Sequence, residues 1–185
     1  MSENLYGHIE RAGPRDLDAV VLEDDTGRSF SWRQVHLTAA RYAGVLRERG
    51  AVPGDRVVVQ VDKSPDSLFL YLGCLRAGLT YVPLNTAYQR GELSYFLSDA
   101  EPAVTVCRSQ SEREMLAIGV PAEKLLTLDA DGLSKRQIPR KPGSAWAWGK
   151  RPWWVSSARS PATRASTPWY GPCPSSGRCS RKPGC

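Results

Sequence analysis

Apolar residues along the first 134 positions recur at two different spacings, which predict alternating helices and strands. Between Ser31 and Gly50 the spacing is helical. The residues on the apolar face of this helix are Val35, Ala39, Tyr42 and Leu46. Ser31 and Gln34 match a capping box, and Gly50 supplies the left-handed residue that commonly ends a helix. We therefore predict one amphipathic helix over this segment.

A valine-rich run follows the turn at Pro53 and Gly54. Its β-branched residues are Val57, Val58, Val59 and Val61. A run of this kind, without polar alternation, is typical of a strand that is buried on both faces, as in a parallel sheet. We predict such a strand here.

The next helix is predicted to begin at Ser64. Pro65 suits the first helical position, and Asp66 places a negative charge near the positive end of the helix dipole. The predicted buried stripe consists of Leu68, Leu72 and Leu75. Gly78 is expected to end the helix.

The rest of this region continues the alternation. The predicted strands lie in DLDAVVLEDD, TGRSFSW, LTYVPL, AVTVC and KLLTLD, and the predicted helices lie in ELSYFLSDA and SEREMLAIG. Strands and helices that alternate at this spacing favour right-handed crossovers and a mainly parallel sheet with helices on its faces. We predict an α/β fold for residues 1–134.

The distribution of charge divides the chain into two regions. Residues 1–134 carry all nineteen acidic residues and fourteen Lys and Arg, for a net charge of −5, whereas residues 135–185 carry eleven Lys and Arg and no acid. The overall charge of +6 therefore comes from the second region and does not indicate a nucleic-acid surface on the first. We predict that residues 135–185 form a disordered basic tail.

The composition of this tail leaves three interpretations. Its eleven positive charges and five of the six tryptophans would suit binding to nucleic acid or to an acidic partner. Cys173, Cys179 and Cys185 would suit a metal site, although zinc normally takes four ligands and the tail has no histidine. An out-of-frame translation of GC-rich DNA would explain the abundance of Trp, Cys, Pro and Arg and the absence of Leu and acids. We favour this third interpretation.

The sequence shows no signal of a membrane-spanning or secreted protein. No apolar run approaches the length of a membrane-spanning helix, and the segment MSENLYGHIERAG has no secretory-signal pattern. We therefore expect a cytoplasmic protein with no membrane span. Cys74 and Cys107 lie in apolar surroundings and are predicted to be small core residues rather than reactive thiols.

Several stretches resemble the start of an adenylate-forming acyl-CoA synthetase. They are the helix before GAVPGDRV, the segment DKSPDSLFLYLGCLRAG, and YVPLNTAY followed by GELSYFLSDAEP. Within that superfamily, VQVDKSPDSLFLYLGCLRAGLTYVPLNTAY is most similar to malonyl-CoA synthetases. The resemblance covers about residues 5–130 and implies the incomplete N-terminal subdomain of such an enzyme.

The resemblance implies ATP-dependent activation of a carboxylate as an acyl-adenylate, followed by transfer of the acyl group to coenzyme A. ATP, Mg²⁺ and coenzyme A are thus implied for the intact relative, with malonate as the favoured acid. In the family the chemistry comes from later segments, which include a phosphate-binding loop ending in Lys-Gly and a lysine on a mobile C-terminal domain. Residues 132–185 match neither segment, so no catalytic, cofactor-binding or metal-binding residue is assigned to this chain.

Seven polar residues occupy positions that could suit a functional site, and for each we favour a structural role. They are His8, His36, Asp62, Lys63, Asn85, Thr86 and Tyr88. The two histidines have no nearby nucleophile or ligand pattern. The other five follow two predicted strands, at the edge where α/β folds bind ligands. We interpret Asp62 and Lys63 as part of a solvated turn. In the resembling family, the segment that corresponds to Asn85, Thr86 and Tyr88 stabilises the phosphate loop.

Two hypotheses follow from the sequence. In the first, residues 1–134 are part of a truncated ATP-dependent acyl-CoA synthetase that is inactive as given and self-associates through exposed apolar surface. In the second, a non-enzymatic α/β module uses its basic, Trp-rich tail to bind nucleic acid or an acidic partner. We favour the first hypothesis and do not expect specific nucleic-acid binding.

Overall fold

The computed structural model describes residues 4–129 and 132–133, so the predicted tail lies outside the described residues. The helices of the described part are α1 (Leu5–Ala12), α2 (Trp32–Glu48), α3 (Pro65–Ala77), α4 (Arg90–Ala100) and α5 (Glu112–Ala117). The strands are β1 (Val20–Glu23), β2 (Ser29–Ser31), β3 (Arg56–Gln60), β4 (Thr80–Pro83), β5 (Val104–Cys107), β6 (Leu125–Asp129) and β7 (Gly132–Leu133). This order confirms the predicted α/β alternation.

The predicted parallel sheet is present, with the strand order β4-β3-β5-β6-β7. β3 pairs in parallel with β4 and β5, β5 pairs in parallel with β6, and β7 runs antiparallel to β6. Val58 of β3 lies between Val82 of β4 and Thr105 of β5. The chain forms β4 on one side of β3 and then crosses to the other side to form β5. This reversal creates a topological switch point between β3 and β5.

Apolar clusters cover both faces of this sheet. One cluster joins α1, α2 and α3 to the sheet through Val57, Val59, Val104, Val106, Leu126 and Leu128. A smaller cluster contains Leu93, Cys107, Met115, Val120 and Leu125. Because successive side chains of a strand point to opposite faces, Leu125 and Leu126 belong to different clusters. The sheet is therefore buried on both sides, as its valine-rich central strand predicts.

Helix α2 begins and ends where the sequence indicates. The Gln34 N–H donates to Ser31 Oγ at 3.3 Å, and the Ser31 N–H donates to Gln34 Oε1 at 2.7 Å, which completes the capping box. All four residues of the predicted apolar face are buried. Gly50 follows the helix with a φ of +88°, a left-handed conformation that favours glycine.

The predicted buried stripe of α3 is wrong for Leu68, which is 40% exposed. Leu72 is buried and Leu75 is partly buried. The other buried residues of this helix are Phe69, Leu70, Gly73, Cys74 and Ala77. Because α3 packs against both α2 and the sheet, most of its circumference is covered, and a single apolar stripe underestimates its buried surface. The predicted start at Ser64 and end at Gly78 are confirmed.

Neither helix α1 nor the separate pairing of β1 with β2 was predicted. Helix α1 has eight residues and is capped by Asn4, whose side chain accepts a hydrogen bond from the Tyr6 N–H at 2.8 Å. Strands β1 and β2 form a separate antiparallel pair, in which Leu22 lies opposite Phe30. A helix this short gives too few turns for a periodic pattern to identify it.

The thiols of Cys74 and Cys107 are buried, which confirms their predicted place in the core. Burial raises the pKa of each thiol to about 12. Since the thiolate is the reactive form, its fraction at about pH 8 is roughly one part in ten thousand. We expect neither thiol to react with a disulfide reagent in the folded chain, and both to react in denaturant. Peptide mapping after labelling provides the measurement, and rapid labelling of either residue without denaturant would contradict it.

Candidate functional site

Polar residues gather where the parallel strands end, at the carboxyl edge of the sheet. Asp62 and Lys63 follow β3, Asn85 and Thr86 follow β4, and Arg108 follows β5. In open parallel sheets, ligands bind in the crevice outside the carboxyl ends of the strands, at the point where the strand order reverses. The crevice beside the β3–β5 switch point is therefore the candidate site.

Arg108 links the turns that follow three strands. Its Nη1 lies 3.5 Å from Asp62 Oδ1, and its Nη2 donates to the Thr86 carbonyl at 3.4 Å. With the Gln110 amide oriented so that its oxygen faces the guanidinium, this oxygen accepts from Nη1 at 3.1 Å and from Nε at 3.3 Å. The Asp62 side chain is 69% exposed, so the ion pair contributes about 0–1 kcal/mol. The main effect of Arg108 is to hold the neighbouring turns in place.

Asn85 organises the turn that follows β4. Its Oδ1 accepts from the backbone N–H two residues later at 2.9 Å, and its carbonyl accepts from Nε2 of the buried Gln60 at 2.9 Å. Tyr88 stacks on Phe96 with ring centroids 5.1 Å apart. Together with the Thr86 carbonyl at Arg108, these contacts are of the structural kind that we expected for this segment.

Lys63 is an exposed cation of the same edge. Within residues 4–129 and 132–133, its side chain takes part in no hydrogen bond or ion pair. The next residue, Ser64, caps α3 by accepting from the Ser67 N–H at 3.1 Å, so the positive end of the α3 dipole begins here. Lys63 and Arg108 are the cations of this edge, and Asp62 and Asp66 are acids beside them, so the cationic group that can approach an anionic ligand here is the exposed Lys63.

The two histidines lie away from this edge in the fold. His8 is exposed on α1, and His36 is buried in α2, where its Nδ1 is 2.7 Å from the Tyr6 hydroxyl. Among the residues that the structure describes, no three or more His, Cys, Asp or Glu form a group that could hold a metal ion. No helix of the same part of the chain is long and apolar enough to cross a bilayer.

Sequence reasoning missed Arg108 at the candidate site. A signal was available, because Arg108 directly follows the predicted strand AVTVC, as Asp62 follows the valine-rich strand. What the sequence lacked was the strand order. Only the pairing of β5 with β3 brings Arg108 beside Asp62 rather than to a distant part of the same edge.

A separate cavity of about 460 Å³ lies at the opposite end of the sheet, where β5 and β6 begin. Its lining includes Leu97, Glu101, Thr105, Ile118 and Lys124. None of the motifs in the sequence indicates this cavity. Its lining comes from α4, β5 and the segment before β6, which are brought together only by the fold.

Three proteins illustrate what this chain is similar to. The ATP-bound structure of MatB from Rhodopseudomonas palustris is 38% identical, covers 71% of this chain and 26% of the MatB chain, and has a TM-score of 0.67. Bacitracin synthase 3 from Bacillus licheniformis is 40% identical over 97 residues, which are 52% of this chain and 2% of that protein. The AMB antimetabolite synthetase AmbB from Pseudomonas aeruginosa is 30% identical over 131 residues, 71% of this chain and 10% of that protein. The chain thus spans about a quarter of MatB and a smaller part of the two synthetases.

The family described as AMP-binding enzyme matches residues 9–168. This range contains nearly all of the described residues and extends beyond residue 134, so it gives no support to an out-of-frame origin for residues 135–168. The out-of-frame interpretation of the tail stays a prediction. The mainly parallel sheet with helices on both faces is also the fold of the N-terminal part of adenylate-forming enzymes. On the matched range and the fold together, the chain belongs to the AMP-binding enzyme family.

Proposed function

We propose that residues 5–133 form the N-terminal part of an ATP-dependent acid–CoA ligase, with malonate as the favoured acid. The main support is the 38% identity to ATP-bound MatB, a malonyl-CoA synthetase, over 71% of the chain. The identity to bacitracin synthase 3 supports the adenylate-forming step but covers only about half of the chain. The preference for malonate therefore rests on the likeness to MatB.

The proposed reaction has two steps. A carboxylate oxygen of the acid attacks the α-phosphorus of ATP, and the bond to pyrophosphate breaks, which leaves an acyl-adenylate. The thiol of coenzyme A then loses its proton and attacks the acyl carbonyl carbon, which displaces AMP and forms the thioester. In both steps negative charge develops on oxygen, so positive groups near the phosphates favour the reaction.

The described residues of this chain contribute structure and charge to such a reaction. Arg108 holds the turns after β3 and β4 at the carboxyl edge, and Lys63 places an exposed positive charge at this edge. Among the described residues, no three or more His, Cys, Asp or Glu form a group, so no residue of this part of the chain is assigned to the magnesium ion that the family resemblance implies.

A chimera with MatB tests whether this segment is a competent part of a ligase. Residues 5–133 replace the matched N-terminal part of MatB, and malonate-dependent exchange of pyrophosphate into ATP is measured. We expect the chimera to retain exchange within about an order of magnitude of MatB. We expect the chain alone to show none, since it spans 26% of the MatB chain. A folded chimera without exchange activity would contradict the proposal, with MatB as the positive control.

The preferred acid is tested on the product of any reading frame that continues residues 5–133 as a longer synthetase. Resequencing the coding DNA from roughly codon 125 past codon 185, with translation in all frames, shows which sequence continues residues 5–133. That product is then assayed with malonate and with a panel of amino acids. Formation of malonyl-CoA supports the proposal. Exchange with an amino acid and none with malonate would contradict it and indicate a peptide-synthetase type of enzyme.

A further inference from the structure

A buried polar cluster attaches helix α1 to the body of the fold. The Tyr6 hydroxyl lies 2.7 Å from His36 Nδ1 on α2, and Arg76 Nη1 on α3 donates to the same hydroxyl oxygen at 2.8 Å. The Arg76 guanidinium also lies 5.1 Å from the centre of the Tyr6 ring. Asn4 adds one further contact by donating to the Leu75 carbonyl at 2.8 Å. We call Tyr6, His36 and Arg76 the α1 latch.

The hydrogen bonds of the α1 latch favour the neutral form of His36. A guanidinium can only donate, so the Tyr6 oxygen is the acceptor of the Arg76 bond. The single hydrogen of the Tyr6 hydroxyl is then available for His36 Nδ1. That nitrogen accepts only in the neutral imidazole whose proton is on Nε2. With a neutral His36, every donor and acceptor of these two hydrogen bonds has a partner.

Protonation of His36 would disrupt this arrangement. The new Nδ1–H would point at the Tyr6 oxygen, which already accepts from Arg76, and the Tyr6 hydrogen would lose its acceptor. Two cations would then flank one oxygen in a buried place, where unpaired charge is costly. Burial raises the pKa of the Tyr6 hydroxyl, so tyrosine ionisation does not relieve the conflict near neutral pH.

The charged groups that face His36 come from two elements. Glu10 on α1 favours the imidazolium, and Arg76 on α3 opposes it. Trp32 on α2 contributes an aromatic edge 4.4 Å from the imidazole centre and no charge. Burial is the largest influence and lowers the pKa of His36 from its ordinary value, despite the attraction of Glu10.

We propose that the α1 latch is a proton-sensitive device, which releases helix α1 from α2 and α3 when His36 takes up a proton. His36 binds protons less readily with α1 docked than in the undocked chain, so undocking gains stability as pH falls. Docking is complete above about pH 6.5, the ordinary pKa of histidine. It weakens as the pH drops from there toward the lower pKa of the docked state. This property is independent of the proposed ligase function.

Hydrogen exchange of the full chain, measured by mass spectrometry, tests the device. We compare the protection of peptides from α1 and from α4 at about pH 7.5 and about pH 5, after correction for intrinsic exchange rates. The α4 peptides serve as an internal reference. Protection of α1 should fall relative to α4 by roughly tenfold for each unit by which docking lowers the pKa of His36.

Two variants separate this effect from general acid sensitivity. His36→Gln keeps an acceptor for Tyr6 but cannot take up a proton, so its α1 protection should not depend on pH in this range. His8→Gln removes the exposed histidine of α1 and should behave as the wild type. Loss of α1 protection at low pH that is unchanged in His36→Gln, or abolished in His8→Gln, would overturn the proposal.

If His36→Gln leaves α1 unprotected at both pH values, a second measurement on the wild-type chain tests the proposal. The titration of His36 in the wild-type chain is followed by NMR, with His8 as the reference. The loss of α1 protection should begin at about pH 6.5 and level off near the midpoint of this titration, since docked and undocked His36 both carry the proton below it. Protection that changes over a pH range not ending near this midpoint would overturn the proposal.

Discussion

Replacing Gly73 with leucine is expected to unfold the α/β region. Gly73 lies in α3 against α2, where an added Cβ would be 2.7 Å from Tyr42 Cβ and 3.1 Å from both Ala39 O and Ala43 N. These atoms belong to the α2 backbone or are fixed to it, so they cannot move without displacing the helix. Overpacking by even small groups costs about 1–3 kcal/mol, and total stabilities are on the order of 5–15 kcal/mol. Loss of a cooperative urea transition, followed by circular dichroism, provides the measurement.

Alanine substitutions at two helical glycines form a matched control for this prediction. Alanine improves helix propensity by about 1 kcal/mol in a helix interior, as at Gly73, and by less in the first turn, as at Gly91. Within the described part of the chain, a Cβ added at Gly91 in α4 meets no atom within 4 Å beyond its chain neighbours and its own helix backbone, so Gly91→Ala should stabilise the chain. Gly73→Ala should lower stability by about 1–2 kcal/mol because the clash exceeds the gain. Equal urea midpoints for the two variants would contradict the close approach of α2 and α3.

Replacing Phe69 with alanine should cost about 3–5 kcal/mol of stability. Phe69 is 2% exposed, and its ring packs edge-to-face on Phe30 of β2 with centroids 5.3 Å apart. Truncation would leave a cavity between α3 and the β1–β2 pair and would remove the aromatic contact. The shift of the urea midpoint measures the loss.

The adjacent residue supplies the control for this second prediction. Leu68 is on the same helix but is 40% exposed, so Leu68→Ala should change stability by less than about 1 kcal/mol. Both variants place an alanine in α3, so a difference between their stabilities does not come from the helix propensity of the new residue. Losses of similar size at the two positions would show that Phe69 is not part of the core.

The parts of the fold that the sequence predicted are those with local signals. The start of α2 follows from the Ser31 and Gln34 side chains, which bond to each other's backbone within one turn. The exposure of Leu68 could not be predicted in the same way, because it depends on how α2 and the sheet surround α3. The strand order likewise depends on contacts between residues far apart in the chain, such as Val57 and Val104.

Part of the candidate site was predicted because its signals are local, and the rest depends on long-range contacts. Asp62 and Asn85 come shortly after β3 and β4, and sequence position alone places them at the carboxyl edge. Their connection through Arg108 and Gln60 requires the fold. The hypothesis of a basic tail that binds nucleic acid concerns residues outside the described part of the chain, and it stays a prediction. Self-association through exposed apolar surface also stays a prediction.

Strand β4 forms one outer edge of the main sheet and limits how copies of this chain could associate there. It has four residues and ends at Pro83, which has no N–H to donate. Short edge strands with proline give an incoming strand few main-chain partners. Growth of a cross-β fibril by strand addition is therefore disfavoured at this edge. Contacts between copies at this edge are therefore expected to form mainly through side chains.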